Sequence, residues 1–205
     1  MNTRLIWNFE ICNQKPLAIN SLDDVKEEYR WEARFFWDAD KIINLEALSD
    51  EELQFINVET KHQEDCYILL PNKNINLKIR RDELLYKPLE NEQESIFAYG
   101  SKMSLKELEP ELILPETKST VASLLHEIEK QGKEIKIAKD ILTYKFNSKP
   151  KIKLEFSRLK LANEIFFSFC IQGRSFNLVT KLAKELLAKP IASNYVSFLK
   201  KKNNL

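Results

Sequence analysis

Residues 28–35 read Glu28-Tyr29-Arg30-Trp31-Glu32-Ala33-Arg34-Phe35. Side chains two apart in an extended chain share a face. One face therefore carries Glu28, Arg30, Glu32 and Arg34, and the other Tyr29, Trp31, Ala33 and Phe35. The same alternation returns in Leu77-Lys78-Ile79-Arg80 and in Lys151-Ile152-Lys153-Leu154-Glu155-Phe156. Acids and bases on one face have a specific chemistry open to them: carboxylates ligate a divalent cation, and Lys and Arg hold phosphate oxygens. Two arrangements satisfy this pattern. In one, the charged row is the wet outer face of an antiparallel sheet. In the other, a curled or barrel-like sheet turns its apolar face outward onto helices and its charged face inward onto an anionic ligand. Alternation alone does not choose between them.

Other reactive residue types are sparse. His62 and His126 are the two histidines, too few for a His-based zinc site, and neither has an evident partner for general base work. Cys12, Cys66 and Cys170 are odd in number and widely spaced, with no C-x-x-C pair, which argues against a disulfide framework or a Cys-rich metal site and fits a reducing cytoplasm. Cys66 and Cys170 fall on expected strands and read as inert core thiols. Trp7, Trp31 and Trp37 read as packing residues, and the acidic run Asp23, Asp24, Glu27 and Glu28 as a solvated approach to the first long strand.

The whole chain limits what remains. Its 205 residues carry 32 Lys+Arg against 31 Asp+Glu, a net charge of +1, which excludes a bulk electrostatic nucleic-acid binder but not a local basic site. With three Gly and neither G-x-G-x-x-G nor a P-loop, the usual nucleotide-binding turns are excluded. No continuous apolar leader follows Met1 and no apolar run approaches ~18 residues, so neither a signal peptide nor a membrane span is expected.

Apolar residues at Val121, Leu124, Leu125 and Ile128, with Gly132 beyond, predict one helix. Phe176, Val179, Leu182, Ala183, Leu186 and Leu187 predict a second, with Ser175 as N-cap and Pro190 as stop. Shorter helices are expected over 50–56 and 194–200, and 200–205 as a solvated tail. Strands are expected over 26–37, 65–70, 75–81, 83–87, 134–139, 141–146, 151–158 and 165–171. Eight strands with few helices between them predict an α+β fold built on a mainly antiparallel sheet.

Three of these segments in order, Asp65-Cys66-Tyr67-Ile68-Leu69-Leu70-Pro71, Asn76-Leu77-Lys78-Ile79-Arg80 and Tyr86-Lys87-Pro88, resemble the middle of the CYTH domain, or triphosphate tunnel metalloenzyme, family. Downstream, Ile137-Ala138-Lys139 resembles its basic strand and 151–155 its acid-bearing strand. The run 167–173 with the following helix resembles its closing strand, Gly and helix. The resemblance covers about residues 26–190 and departs at set positions. Arg30-Trp31-Glu32-Ala33-Arg34 stands where the family has Glu-x-Glu-x-Lys. Cys170 and Gln172 replace two carboxylates, and Lys139-Asp140-Ile141 lacks an Arg.

The resemblance implies an antiparallel eight-stranded barrel-like tunnel with flanking helices. Residues 1–25 would be an N-terminal extension, 26–190 the tunnel domain with 88–117 as an insertion or lid, and 191–205 a C-terminal helix and tail. It implies phosphate contacts from Arg30, Arg34, Lys78, Arg80, Lys87 and Lys139, and a Mg2+ or Mn2+ site at Glu32 and Glu155, with no catalytic residue singled out. Thinned carboxylates and an added Arg shift the site toward direct phosphate binding. The expected function is binding of a triphosphate- or polyphosphate-bearing ligand, with metal-dependent triphosphatase activity weak or lost. The other reading is a non-catalytic protein- or RNA-binding module on the same scaffold. The expected partner is a triphosphate-containing small molecule in the cytoplasm. No membrane is expected; a homodimer is compatible with the sequence, and nucleic acid is not indicated by the net charge.

Overall fold

The structure, a computed structural model, describes residues 3–12, 16–49, 53, 57–188 and 191–205. Its strands are β1 (Thr3–Ile6), β2 (Phe9–Ile11), β3 (Arg30–Asp38), β4 (Ile43–Leu45), β5 (Asn57–Leu70), β6 (Lys73–Arg80), β7 (Glu83–Lys87), β8 (Leu89–Gln93), β9 (Ile96–Tyr99), β10 (Met103–Ser104), β11 (Lys133–Lys145), β12 (Lys153–Leu161) and β13 (Glu164–Gly173). Among the described residues three α-helices have both ends defined, α1 (Val121–Gln131), α2 (Phe176–Leu186) and α3 (Tyr195–Lys202), and short 3-10 turns span Ile19–Ser21 and Leu105–Glu107. The helix expected over 50–56 and the stop at Pro190 fall, apart from Leu53, outside the described residues.

Each helix begins on a side chain that accepts from an otherwise orphaned backbone amide. Thr120 Oγ1 accepts from Ser123 N, Ser175 Oγ from Leu178 N and Asn194 Oδ1 from Ser197 N, at 3.2, 3.0 and 2.9 Å. A small sheet runs β1-β2-β4. The main sheet has ten strands in the order β10-β7-β6-β5-β11-β12-β13-β3-β9-β8, with every neighbouring pair antiparallel.

This sheet cannot be flat. Lys87 ends β7 beside one edge, and Leu89 begins β8, which is the opposite edge, so Pro88 alone crosses between them. One residue spans about 7 Å at most between its neighbours. The Pro88 carbonyl accepts from Gly100 N at 3.1 Å, tying the crossing to the end of β9. Lys87 Nζ also lies 2.5 Å from Glu32 Oε1 on β3, six places away in strand order. In a flat sheet that separation is about 29 Å at the usual strand spacing. The sheet therefore curls until its edges approach, with one face turned inward.

The predicted alternation sorts onto the two faces. Trp31, Ala33 and Phe35 are buried outside the curl with Phe156, Phe169 and the α2 residues Leu178, Val179 and Leu182. Trp31 meets the α2 residue Phe176 edge-on, with ring centroids 4.9 Å apart. Phe9 of the small sheet packs on Phe156 in the same cluster. On another outer face Ile68, Leu77 and Tyr86 pack under Val121 and Leu124 of α1.

The inner face changes character along each strand. Toward one end it carries Arg34 and Glu32, Asp65, Lys139 and Glu155. Toward the other it carries Phe36, Tyr67 and Leu69, Ile137 and Ile135, Leu159 and Leu161. Val196, Phe198 and Leu199 of α3 pack into that apolar end, with Phe36 stacked on Phe198 at 4.1 Å. The helix thus fills one end of the curl, and the charged half is left as the cavity.

Two expectations are corrected. The eight strands are ten in this sheet: 134–139 and 141–146 form one strand, because the in-out alternation runs unbroken through Asp140, and β8, β9 and β10 join from within 88–117. The β8–β9 turn has Glu94 and Ser95 at φ +49° and +62°, a geometry usually signalled by Asn-Gly. Without that signal the hairpin reads as loop. The tail expected to be solvated is also partly buried. Lys200 is 8% exposed, and its ammonium donates to Pro71 O, Lys73 O and Asn74 Oδ1 at 3.0–3.1 Å.

If α3 closes one end of the curl by apolar packing, truncating its fully buried Leu199 leaves a cavity there. Leu199→Ala is expected to cost about 2–5 kcal/mol. Urea denaturation should show a lower midpoint with an unchanged slope; a loss within a few tenths of a kcal/mol would refute the packing role.

Candidate functional site

The inward face encloses a cavity of about 730 Å³. All eight residues assigned from the sequence line it: Arg30, Arg34, Lys78, Arg80, Lys87 and Lys139, with Glu32 and Glu155. Lys61, Lys102, Lys153 and Arg174 add to them, so ten Lys and Arg side chains face the space against four Glu. The chain as a whole is +1, so the excess is local.

The deepest part is organised by Asp65, whose side chain has no exposed surface. It stands on β5, between β6, which supplies Lys78 and Arg80, and β11, which supplies Lys139. Arg80 donates through Nε and Nη2 to the two carboxylate oxygens at 2.6 and 3.0 Å. Lys139 Nζ reaches Asp65 Oδ2 at 2.8 Å, and Lys78 Nζ lies at 3.5 Å. Burial opposes ionisation of Asp65, but the Arg80 hydrogen bonds and the Lys139 and Lys78 charges outweigh it and hold the carboxyl well below its usual range.

The lysines pay the larger desolvation cost. Burial, then repulsion from Lys139, pulls Lys78 down to about 6 despite Asp65. Burial takes Lys139 down to about 8, with Asp65 offsetting part of the effect. Lys139 Nζ lies 3.9 Å from the centroid of the Tyr195 ring and donates to Tyr67 Oη at 3.1 Å. These electron-rich neighbours stabilise its charged form.

A second pairing spans β13. Arg34 on β3 and Glu155 on β12 both stand opposite Cys170, and the guanidinium crosses to the carboxylate at 2.9 Å. The Cys170 thiol is pushed up to about 12, chiefly by burial, and so stays neutral beneath that bridge. A third pair joins Lys87 to Glu32, with the Lys87 ammonium 4.1 Å from the Tyr99 ring centroid. Burial would raise Glu32, but Lys87 and then Arg34 bring it below its ordinary value.

Glu32 and Glu155 are thus each bound to a basic partner. A Mg2+ or Mn2+ ion at these carboxylates would share them with Lys87 and Arg34, each of which holds one oxygen. Among the described residues no three His, Cys, Asp or Glu side chains gather where they could hold a metal. A divalent cation requires several oxygen ligands with negative charge, so the donor set does not form such a site by itself.

Besides Lys61, Lys102, Lys153 and Arg174, two contributors escaped the sequence reading. Asp65 stood only in the strand motif; its spacing of two from Tyr67 was the available signal that both face inward. Tyr195, at the start of α3, lines the cavity and lies under both Arg34 and Lys139. No local pattern marks a residue delivered by a helix remote in sequence. His62 instead pairs with Asp140 on the exposed face.

No family model and no curated protein matches the chain. Among solved structures, the chain is similar to the crystal structure of a proposed adenylate cyclase from Bacillus halodurans. The two share 11% identity with a TM-score of 0.42, over 82% of this chain and 97% of that one.

Removing the Asp65 charge leaves buried cations uncompensated. Asp65→Asn is expected to lower stability by about 3–5 kcal/mol at neutral pH. The folded pKa of Asp65 lies below its ordinary 3.8, so its contribution is complete above that pH and is lost as pH falls below it. Unfolding followed through that acid range should show a steeper loss in the wild type than in the variant. Parallel acid profiles would refute the assignment. Lys78 acts in the same sense at higher pH: between about 6 and 10.5 its unfolded form binds more protons, so the penalty of burying it is relieved and stability rises with pH.

Proposed function

We propose that the charged half of the curled sheet binds a triphosphate- or polyphosphate-bearing anion, and that the chain is a divergent relative of the CYTH, or triphosphate tunnel metalloenzyme, family. The observation that carries this reading is the convergence of ten basic side chains on one cavity in a nearly neutral protein. Pairing with Asp65, Glu32 and Glu155 positions the deep cations without neutralising all of them. Phosphate oxygens would take the remaining donor capacity of Arg34, Lys78, Arg80, Lys87 and Lys139, with Arg30 at the entrance. Burial strengthens such contacts by excluding competing water.

The carboxylates serve this reading as positioners. Glu32 holds Lys87 and Glu155 holds Arg34. A Mg2+ or Mn2+ ion, if required, would arrive with the triphosphate and draw on Glu32 and Glu155 after their partners turn to the ligand. Such an ion supplies charge neutralisation of the phosphoryl oxygens. Metal-dependent hydrolysis is expected to be weak or absent, because this acidic set is small and already engaged. The same internal pairing favours the second reading, a protein- or RNA-binding module whose inner charges only satisfy one another.

Thermal unfolding with tripolyphosphate, with and without Mg2+ or Mn2+, separates the two. A bound anion at a hundredfold excess over its Kd adds about 2.7 kcal/mol through mass action, so a clear rise in Tm is expected. Arg80→Glu should abolish the rise. Lys102→Glu, at an exposed cavity-lining position with no ion pair among the described residues, should reduce it without disturbing Asp65. No rise under any of these conditions overturns the ligand reading. Phosphate release at enzymatic rates in the presence of metal overturns the weak-activity part. Because Lys78 loses its proton above about pH 6, affinity should fall with rising pH more steeply in the wild type than in Lys78→Arg, as titration calorimetry would show. Equal pH profiles would remove Lys78 from the phosphate contacts.

A further inference from the structure

Beside the mouth of the cavity lies a second cleft of about 690 Å³. The two spaces share four lining residues, Arg30, Lys153, Gln172 and Arg174, so one leads into the other. The cleft adds Lys26, Lys149 and Lys151, which brings six cations to its walls. Asp24 is the one acidic residue among its lining residues, and its carboxylate accepts the Ser175 hydroxyl at 2.5 Å.

The charge here differs from the charge deep inside. The five deep cations, Arg34, Lys78, Arg80, Lys87 and Lys139, are paired with Asp65, Glu155 and Glu32. None of the six cleft cations forms an ion pair among the described residues. Lys153 is crowded as well: burial, then Arg30 and Lys145, press its pKa below the ordinary value, with Glu59 and Glu155 offsetting part of the effect. Part of the wall is also fixed in place. Lys149 sits in the β11–β12 connection, where its carbonyl accepts from Asp24 N at 2.7 Å and its amide donates to Leu22 O at 2.9 Å. A row of mutually repelling cations held on an anchored backbone is stabilised by an external polyanion.

The lining also limits which polyanion fits. No aromatic side chain lines the cleft among the described residues. Proteins that hold single-stranded nucleic acid combine basic residues with aromatic platforms for the bases. A bare phosphate chain needs only the cations.

We propose that this cleft continues the cavity as an extended anion subsite, and that the bound chain is a linear polyphosphate longer than triphosphate. The proposal rests on the reading of the inner cavity as a triphosphate site. A chain gripped in the cavity presents its next phosphates to Arg30 and Lys153, then to Lys149 and Lys151. Contacts in the cleft then form within a single complex and add to affinity without a second encounter.

The test is calorimetric titration of the full chain with tripolyphosphate and with long-chain linear polyphosphate. The wild type should bind the long chain at least about tenfold more tightly. Lys149 and Lys151 are exposed and line the second cleft without lining the first. The double variant K149E/K151E should lose most of that gain while its affinity for tripolyphosphate stays within about twofold. A control of equal charge change, K130E/K181E, at exposed helical positions lining neither space, should keep the gain. Tripolyphosphate binding with no gain for the long chain overturns the inference and leaves the inner site standing. A gain that survives K149E/K151E, or is lost equally in K130E/K181E, also overturns it. So does stronger binding of a 5′-triphosphorylated RNA than of polyphosphate with the same number of phosphates. Failure of both polyphosphates to bind the wild type overturns the inner site and the cleft together.

Discussion

The interior of this sheet depends on one carboxylate. Asp65 has no exposed surface and sits on the strand between those that supply Lys78, Arg80 and Lys139. Three basic groups in a confined space repel one another when charged, and burial penalises each. The carboxylate is the counter-charge that permits them to be there. It is also held below its usual ionisation range by the groups it stabilises, so the cluster stands or falls as a unit. Its yield in stability is small, since desolvation offsets most of the Coulomb gain. What it secures is placement: basic groups fixed inside the curl with donor capacity left over.

The remainder of the inner face divides the work. Along each long strand the inward positions pass from charged to apolar near Tyr67 on β5 and Leu159 on β12. Helix α3 packs on the apolar half, and Lys200 fastens it to the β5–β6 turn through three oxygen acceptors. Tyr195 at its start faces the charged half and lies under Arg34 and Lys139. One short helix therefore fills an end of the curl and contributes a wall of the cavity.

Charge in this protein is arranged rather than accumulated. The near balance of acids and bases conceals a division in which many carboxylates sit on exposed surfaces while bases collect inside and at the mouth. Within the cavity, the neutral Cys170 has a visible structural role. Cys170 is small and neutral, and Arg34 crosses it to reach Glu155. An acid at that position would compete for the same guanidinium.

The faces of the strands and two of the helices were legible in sequence because their causes are local. Alternation in 28–35 put Arg30, Glu32 and Arg34 together, and apolar spacing with the Ser175 cap and the Gly132 stop marked two helices. The β8–β9 hairpin was not legible: its edge strand is mostly polar and its Glu94-Ser95 turn lacks the usual residues. Which face points inward was left open by alternation, since a wet outer face and a lumen have the same period. Only the tertiary structure decides that, through curvature that brings Lys87 to Glu32 and joins Arg34 to a carboxylate 121 residues away. Such pairings depend on strand order and closure, and both arise from packing the whole sheet against its helices rather than from any short stretch of chain.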